Sequence, residues 1–310
     1  MQHHNLPAHA TKGVELLSYT LPDRDRTRVL LHQDNHSPDS TGRTVWLGAQ
    51  VLSVYLQDLL GSEVATARRK LGPDAAPPRA IDLGSGTGLV ALMLANLGYD
   101  TLATDVEMIV QGVLARNVTE NAPQLSRPGR QGNRIRQATL DWFTFDCETW
   151  TWPEDDDDND KIVAESTSAA SSCRRGVDLI TTADTVYDLG LSEPLLRTLH
   201  GLVLASSSSS SSSPPPPIYL ALEARDPALI ASFFALASSA AFRFKCSRVD
   251  PARIRKLVEA REGTLGWQDE ADWEGVEVWK LALSKQELSR ARTAARQQRR
   301  QQEDMSAPAE

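Results

Sequence analysis

The stretch 79–105, RAIDLGSGTGLVALMLANLGYDTLATD, constrains this chain more than any other. A short apolar run ends in Asp82, glycines follow at Gly84, Gly86 and Gly88, an apolar segment at helical spacing covers 89–97, and a second short strand closes on Asp105. Glycine gives positive φ with no Cβ in the way, so a strand, glycine loop, helix, strand unit lets the backbone approach a ligand closely. An acidic side chain ending the second strand accepts hydrogen bonds from two adjacent ribose hydroxyls. The unit therefore predicts a nucleoside ligand.

The glycines alone leave two frames open. From Gly84, a dinucleotide fingerprint needs a small residue where Leu89 stands, whereas from Gly86 the relaxed form is met by Gly88 and Ala91. Asp82, two residues before the first glycine, favours an amino group and a cationic methionine moiety over a pyrophosphate. On these residues the stretch resembles the first motif, D/E-x-G-x-G-x-G, of class I, seven-β-strand S-adenosylmethionine methyltransferases. The resemblance implies an α/β fold, a doubly wound, mostly parallel seven-stranded sheet of Rossmann-like type with an antiparallel edge strand, and S-adenosyl-L-methionine as cofactor.

The rest of the chain is read around that unit. Residues 1–40 form a polar leader, with His3, His4 and His9 assigned no role, and two β-like runs at 14–21 and 28–32. The methyltransferase domain spans 41–283 and starts with a helix over 51–60; a charged, Ala/Pro-rich linker follows at 61–78. Strands are expected at 134–140, 177–183, 218–222, 242–249 and 276–283, and helices at 106–118, 191–204, 227–234 and 252–261. Two inserts break the domain: an acidic then Ser/Ala-rich segment at 151–176, and a Ser/Pro run at 205–217. Neither carries enough apolar area to offset its ordering entropy, so both are expected to be disordered. A basic, polar tail fills 284–310.

A formal net charge of −8 argues against a general nucleic-acid binder, the basic tail excepted. Cys147, Cys173 and Cys246 lack metal or disulfide spacing, so no metal is expected and a reducing, cytoplasmic or nuclear location is. No run is long enough to span a membrane. The chain is read as a monomer.

The residues just after the third and fourth strands address the acceptor. An N/D-P-P-Y/F turn for planar base nitrogens is missing; Asp184-Thr185-Val186-Tyr187 stands in its place. Val45-Trp46-Leu47-Gly48-Ala49, Leu140-Asp141-Trp142 and Ala183-Asp184-Thr185-Val186-Tyr187 together resemble, in order, the V-W-x-G-A, L-x-W and A-D-x-x-Y motifs of the methyltransferase-like protein-lysine methyltransferases, often called family sixteen. Tyr187-Asp188, the subsequent L-x-E-x-L-L-x-T-L and Glu223 look closest to the vertebrate branch with a nuclear substrate.

The resemblance implies transfer of a methyl group to a lysine of a protein substrate. Gly84, Ser85 and Gly86 would line the methionine end, with Asp82 directed at its amino group, and Asp105 would hold the ribose. Trp142 and Ala183 would flank the adenine, Trp46 would close the pocket, and Asp184 and Tyr187 would face the lysine as catalytic residues. Two roles stand open for Asp184, since it also suits a cap on the helix after it. The competing functions are a class I methyltransferase acting on a small molecule or nucleic acid, and a non-catalytic cofactor-binding scaffold.

Overall fold

The computed structural model describes residues 5–36, 41–72, 75–125, 134–153, 176–207, 215–260, 265–284, 286–290 and 293. In chain order these form α1 (Ala8–Thr11), β1 (Leu16–Thr20), β2 (Arg28–His32), α2 (Leu47–Leu71), β3 (Arg79–Leu83), α3 (Leu89–Leu97), β4 (Asp100–Asp105) and α4 (Glu107–Ile109). A π-helical turn (Val110–Leu114) leads into α5 (Ala115–Leu125), and β5 (Arg134–Thr139), β6 (Leu179–Ala183), α6 (Leu189–Ser207) and β7 (Ile218–Glu223) come next. The chain continues through α7 (Pro227–Ser238), β8 (Lys245–Arg248), α8 (Pro251–Glu259), a 3-10 turn (Glu270–Asp272) and β9 (Val276–Ala282).

Seven strands pair in the order β5-β4-β3-β6-β7-β9-β8. The first five are mutually parallel; β9 runs antiparallel to both β7 and β8. This is the class I methyltransferase arrangement that the motifs implied. Its antiparallel strand lies one place in from the edge, because β9 inserts between β7 and β8.

Two apolar layers sandwich the sheet. Along β7, Tyr219 and Ala221 face the layer built from α2, α3 and α8, while Ile218, Leu220 and Leu222 face the layer of α6 and α7. That alternation is the period-2 pleat of a strand covered on both faces. Helix α3 is buried nearly all round, from Leu89 to Asn96, so the segment after the glycine loop is locked into the core. Helix α7 begins as its sequence predicts: the Asp226 carboxylate accepts from the Ala228 and Leu229 amides, with Pro227 in the first turn.

β1 and β2 form a separate antiparallel hairpin. Its β2 edge is paired by two side chains of α5 acting in place of a strand. Asn121 accepts from the Leu30 amide at 2.9 Å and donates to the Leu30 carbonyl at 2.7 Å, and Asn117 does the same for His32 at 2.7 and 3.1 Å. An edge that would otherwise be open is thus covered.

Two expectations are corrected. The linker read at 61–78 is helix as far as Leu71, because its Ala, Glu, Arg and Lys residues are strong helix formers that carry α2 past the last apolar turn. The helix expected at 106–118 is interrupted by the π-helical turn around Gly112 and resumes to Leu125. The acidic core of the first insert, the serine-rich stretch of the second and nearly all of the tail lie outside the described residues. No helix among the described residues is long and apolar enough to cross a membrane.

Candidate active site

β3 has β4 on one side and β6 on the other, so the chain leaves β3 in opposite directions in its successive crossovers. Such a switch point opens a crevice outside the carboxyl ends of the strands. A cleft of about 580 Å³ occupies it, and all ten residues singled out from the sequence line its wall.

The glycine loop is held from beneath. The Ser85 amide donates to the Thr104 carbonyl at 2.9 Å, and the Ser85 hydroxyl donates to the Asp82 carbonyl at 2.9 Å. Gly84 (φ +62°) and Gly86 (φ +55°) sit in the left-handed region, and each is crowded on its Cβ side. A Cβ on Gly84 would lie 2.7 Å from Thr185 Cγ2 and 3.2 Å from Trp142 Cζ2; one on Gly86 would lie 2.9 Å from the Gly42 carbonyl oxygen. Backbone therefore forms the cleft wall at these two positions for want of room for anything else.

Asp105, at the end of β4, accepts from the Gly86 amide through Oδ2 and from the Val106 amide through Oδ1, both at 2.8 Å. Burial raises its carboxyl pKa while these two amides pull it down. Each oxygen keeps a further lone pair, so Asp105 fixes the loop and remains able to accept from a ligand. Asp82 is buried, and Thr181 Oγ1 donates to its Oδ1 at 2.6 Å. Burial pushes its carboxyl up to about 7, opposed by hydrogen bonds from Thr181 and Ser85 and reinforced by the charge of Asp105.

Asp184 comes directly after β6, with φ +57°. Its Oδ2 accepts from the Ala49 amide at 3.0 Å, and Gly48 passes so close that a Cβ there would lie 2.5 Å from Oδ1. Leu47, Gly48 and Ala49 are the first residues of α2, so the Asp184 carboxylate stands over that helix's unpaired amides. The open question about its role acquires a third answer: it caps α2, and the cap on α6 is supplied by Asp188, whose Oδ1 accepts from the Gly190 amide at 2.7 Å. Burial pushes the Asp184 carboxyl up to about 7; the Ala49 amide opposes this, Glu223 adds to it and Arg225 opposes it.

Trp46 stands at the cleft beside two cations, with Lys12 Nζ 4.3 Å and Arg225 Cζ 5.2 Å from its ring centroid. Arg225 is itself tied to Glu223, Nη2 to Oε2 at 2.5 Å. Trp142 lies against the glycine loop, Ala183 ends β6, and Tyr187 is exposed at the mouth. Arg225, Gly42 and Phe143 also line the cleft, and sequence reasoning did not pick them out. For Arg225 and Phe143 the available signal was their address, a few residues beyond the ends of β7 and β5. Among the described residues no cluster of His, Cys, Asp or Glu could hold a metal ion.

Comparisons with known proteins agree with this geometry. Residues 24–150 match a family model described as lysine methyltransferase. The resemblance drawn from the motifs is borne out over that stretch, which contains Trp46, the glycine loop, Asp105 and Trp142 and stops short of Asp184 and Tyr187. The zebrafish (Danio rerio) protein N-lysine methyltransferase METTL21A is 32% identical over 137 residues, 44% of this chain and 53% of that protein. The human methyltransferase-like protein 22 is 24% identical over 169 residues, 52% of this chain and 34% of that protein. The chain thus spans about half of the first relative and a third of the second. Among solved structures, the magnesium protoporphyrin IX methyltransferase of Synechocystis with bound SAM superposes with a TM-score of 0.35 at 12% identity, covering 75% of this chain and 82% of that one. No functional inference rests on a likeness at that level.

Proposed function

We propose that this protein is an S-adenosylmethionine-dependent methyltransferase that modifies a lysine side chain of a protein substrate. One observation carries the reading. Among the described residues, the cleft wall holds Asp82, Asp105, Asp141, Asp184 and Glu223 against one guanidinium, Arg225, which is already paired to Glu223, with Lys12 beside the Trp46 ring as the other nearby cation. A wall of that charge repels a pyrophosphate and suits a cationic cofactor followed by a cationic acceptor. The nicotinamide frame left open by the glycines is disfavoured on the same ground.

The residues present fit the cofactor. Gly84 and Gly86 would present bare backbone to its methionine end, buried Asp82 would take its amino group, and Asp105 retains lone pairs for ribose hydroxyls. Trp142 and Ala183 would take the adenine side and Trp46 would close the cleft. When bound, S-adenosylmethionine supplies a methyl group on a sulfonium, a good leaving group that needs little covalent help.

The chain itself contributes orientation, exclusion of water and the handling of one proton. A lysine amine is a nucleophile only when neutral, and in water near pH 7 it is mostly protonated. Asp184, with its carboxyl near 7 and Oδ2 held by the Ala49 amide, would take that proton, and Tyr187, exposed beside the cleft, would orient the aliphatic stem. The lysine acceptor is supported by the family match and by the Asp184-to-Tyr187 motif. Cys147 and Cys246, as thiols rather than disulfides, support a reducing, cytoplasmic or nuclear setting.

The test is incubation of the purified protein and methyl-tritiated S-adenosylmethionine with a cell lysate, then hydrolysis of labelled protein to amino acids. Label recovered as methylated lysine is expected. Cofactor binding with no label in protein would leave a small-molecule or nucleic-acid acceptor or a non-catalytic cofactor-binding scaffold, and failure to bind cofactor would overturn the methyltransferase reading.

A further inference from the structure

We propose that the mouth of the cleft is an apolar docking collar that selects a lysine flanked by bulky apolar residues in the substrate polypeptide. The inference rests on the lysine-methyltransferase reading above and concerns which lysines that site accepts.

Eight large hydrophobic side chains are exposed among the described residues, and five of them, Val106, Met108, Phe143, Tyr187 and Leu189, lie just past the carboxyl ends of β4, β5 and β6. Val106, Phe143 and Tyr187 line the cleft itself, and Met108 and Leu189 each follow one of these by two residues in the chain. Phe143 is 60% exposed and Leu189 64%, an arrangement that costs solvation unless a partner covers it.

These side chains are held outward by built turns. The Asp141 carboxylate accepts from the Phe143 amide at 2.9 Å. Arg197, from α6, donates to the Trp142 and Phe143 carbonyls at 3.2 Å each. The Asp188 carboxylate fixes the turn that presents Leu189. A preorganised apolar rim loses little entropy when a partner settles on it.

The charge pattern identifies the occupant. Among the described lining residues, carboxyl groups outnumber cations, and the guanidinium of Arg225 is paired with Glu223. An apolar ring over an acidic shaft is complementary to a single ammonium rising from apolar neighbours. Acidic flanks would meet like charge, and polar flanks would lose water against Phe143 and Leu189 with nothing in return. Closure of the collar also dries the shaft, which favours the neutral amine.

The experiment uses the full chain, the variants Phe143→Ser, Leu189→Ser and the double variant, and short synthetic peptides with one central lysine flanked by Leu and Phe, by Ser, or by Glu. Wild type is expected to label the apolar-flanked set at least about tenfold above the serine set, because the rim gains from covering its apolar side chains only with an apolar partner. The double variant, assayed at a cofactor concentration that saturates each protein, is expected to lose most of that preference and most lysate labelling. Equal labelling of all sets, a preference that survives both substitutions, or undiminished lysate labelling by the double variant overturns the collar while the proposed function stands. Cofactor bound but no label on any peptide or lysate protein overturns the proposed function itself.

Discussion

The Asp184 carboxylate accepts the Ala49 amide hydrogen at 3.0 Å, joining the loop after β6 to the first turn of α2 across 135 residues of sequence. One side chain therefore caps the helix that begins beside Trp46 and forms part of the cleft wall. At pH 4, where the folded-state Asp184 carboxyl is protonated and its burial carries no ionisation cost, Asp184→Ala is expected to lose about 1–2 kcal/mol of stability through the missing cap and the left-handed backbone, whereas Asp184→Asn keeps an acceptor and a residue that tolerates positive φ. Both are expected to slow transfer by about a hundredfold or more if the carboxylate takes the lysine proton. Urea unfolding and single-turnover rates at saturating cofactor separate the two roles; an alanine variant as stable as wild type at that acid pH would disprove the cap.

Gly84→Ala should damage cofactor binding more than its size suggests. Its Cβ would lie 2.7 Å from Thr185 Cγ2, and φ there is +62°. The backbone cost alone is about 1 kcal/mol, and either the loop or the Thr185 and Trp142 side chains that border the cleft must move. A loss of affinity of at least tenfold by calorimetry, with a lower melting temperature, is the expected result.

For Asp105→Ala the expected loss is about 1.5–3 kcal/mol of cofactor affinity, because a charge-assisted pair of contacts disappears and the Gly86 amide loses its partner. Asp105→Asn should fall between the two, since its single carbonyl can hold only one of the two amides. Titration calorimetry of the three proteins orders them directly; equal affinities would remove Asp105 from the cofactor site.

Asp82 makes stability and binding move oppositely with pH. Its carboxyl lies at about 7 in the folded protein against 3.8 when free. Between these values the folded state holds a proton that the unfolded state has released, so stability without cofactor is full below about pH 4 and falls as pH rises to about 7. Asp184, also near 7, adds to the same slope. A cationic cofactor favours the ionised form and should bind more tightly at pH 8 than at pH 6. Asp82→Asn can still accept from Thr181, so it should melt higher than wild type at pH 8, lose that advantage by pH 4, and bind cofactor poorly at both. Thermal melts across this range, with and without cofactor, would expose the error if the variant showed the same pH slope as wild type.

The chain alone made legible whatever short-range physics dictates. The glycines at 84 and 86 announce positive φ, Asp226-Pro227 announces a helix start, and unbroken apolar runs announce strands covered on both faces. From these, with the motif resemblance, came the sheet and ten residues that share one cleft. Helix α2 shows the limit of apolar periodicity, since its last turns run to Leu71 on propensity with few apolar residues to mark them. The rest was decided by contacts between distant segments. Nothing near Asp184 in sequence shows that its carboxylate will meet the amides of α2, that Arg225 will lie by the Trp46 ring, or that Phe143 and Tyr187 will stand exposed at one cleft. Those pairings exist only because parallel strands bring their carboxyl ends to the same side of the sheet, however far apart in the chain they begin.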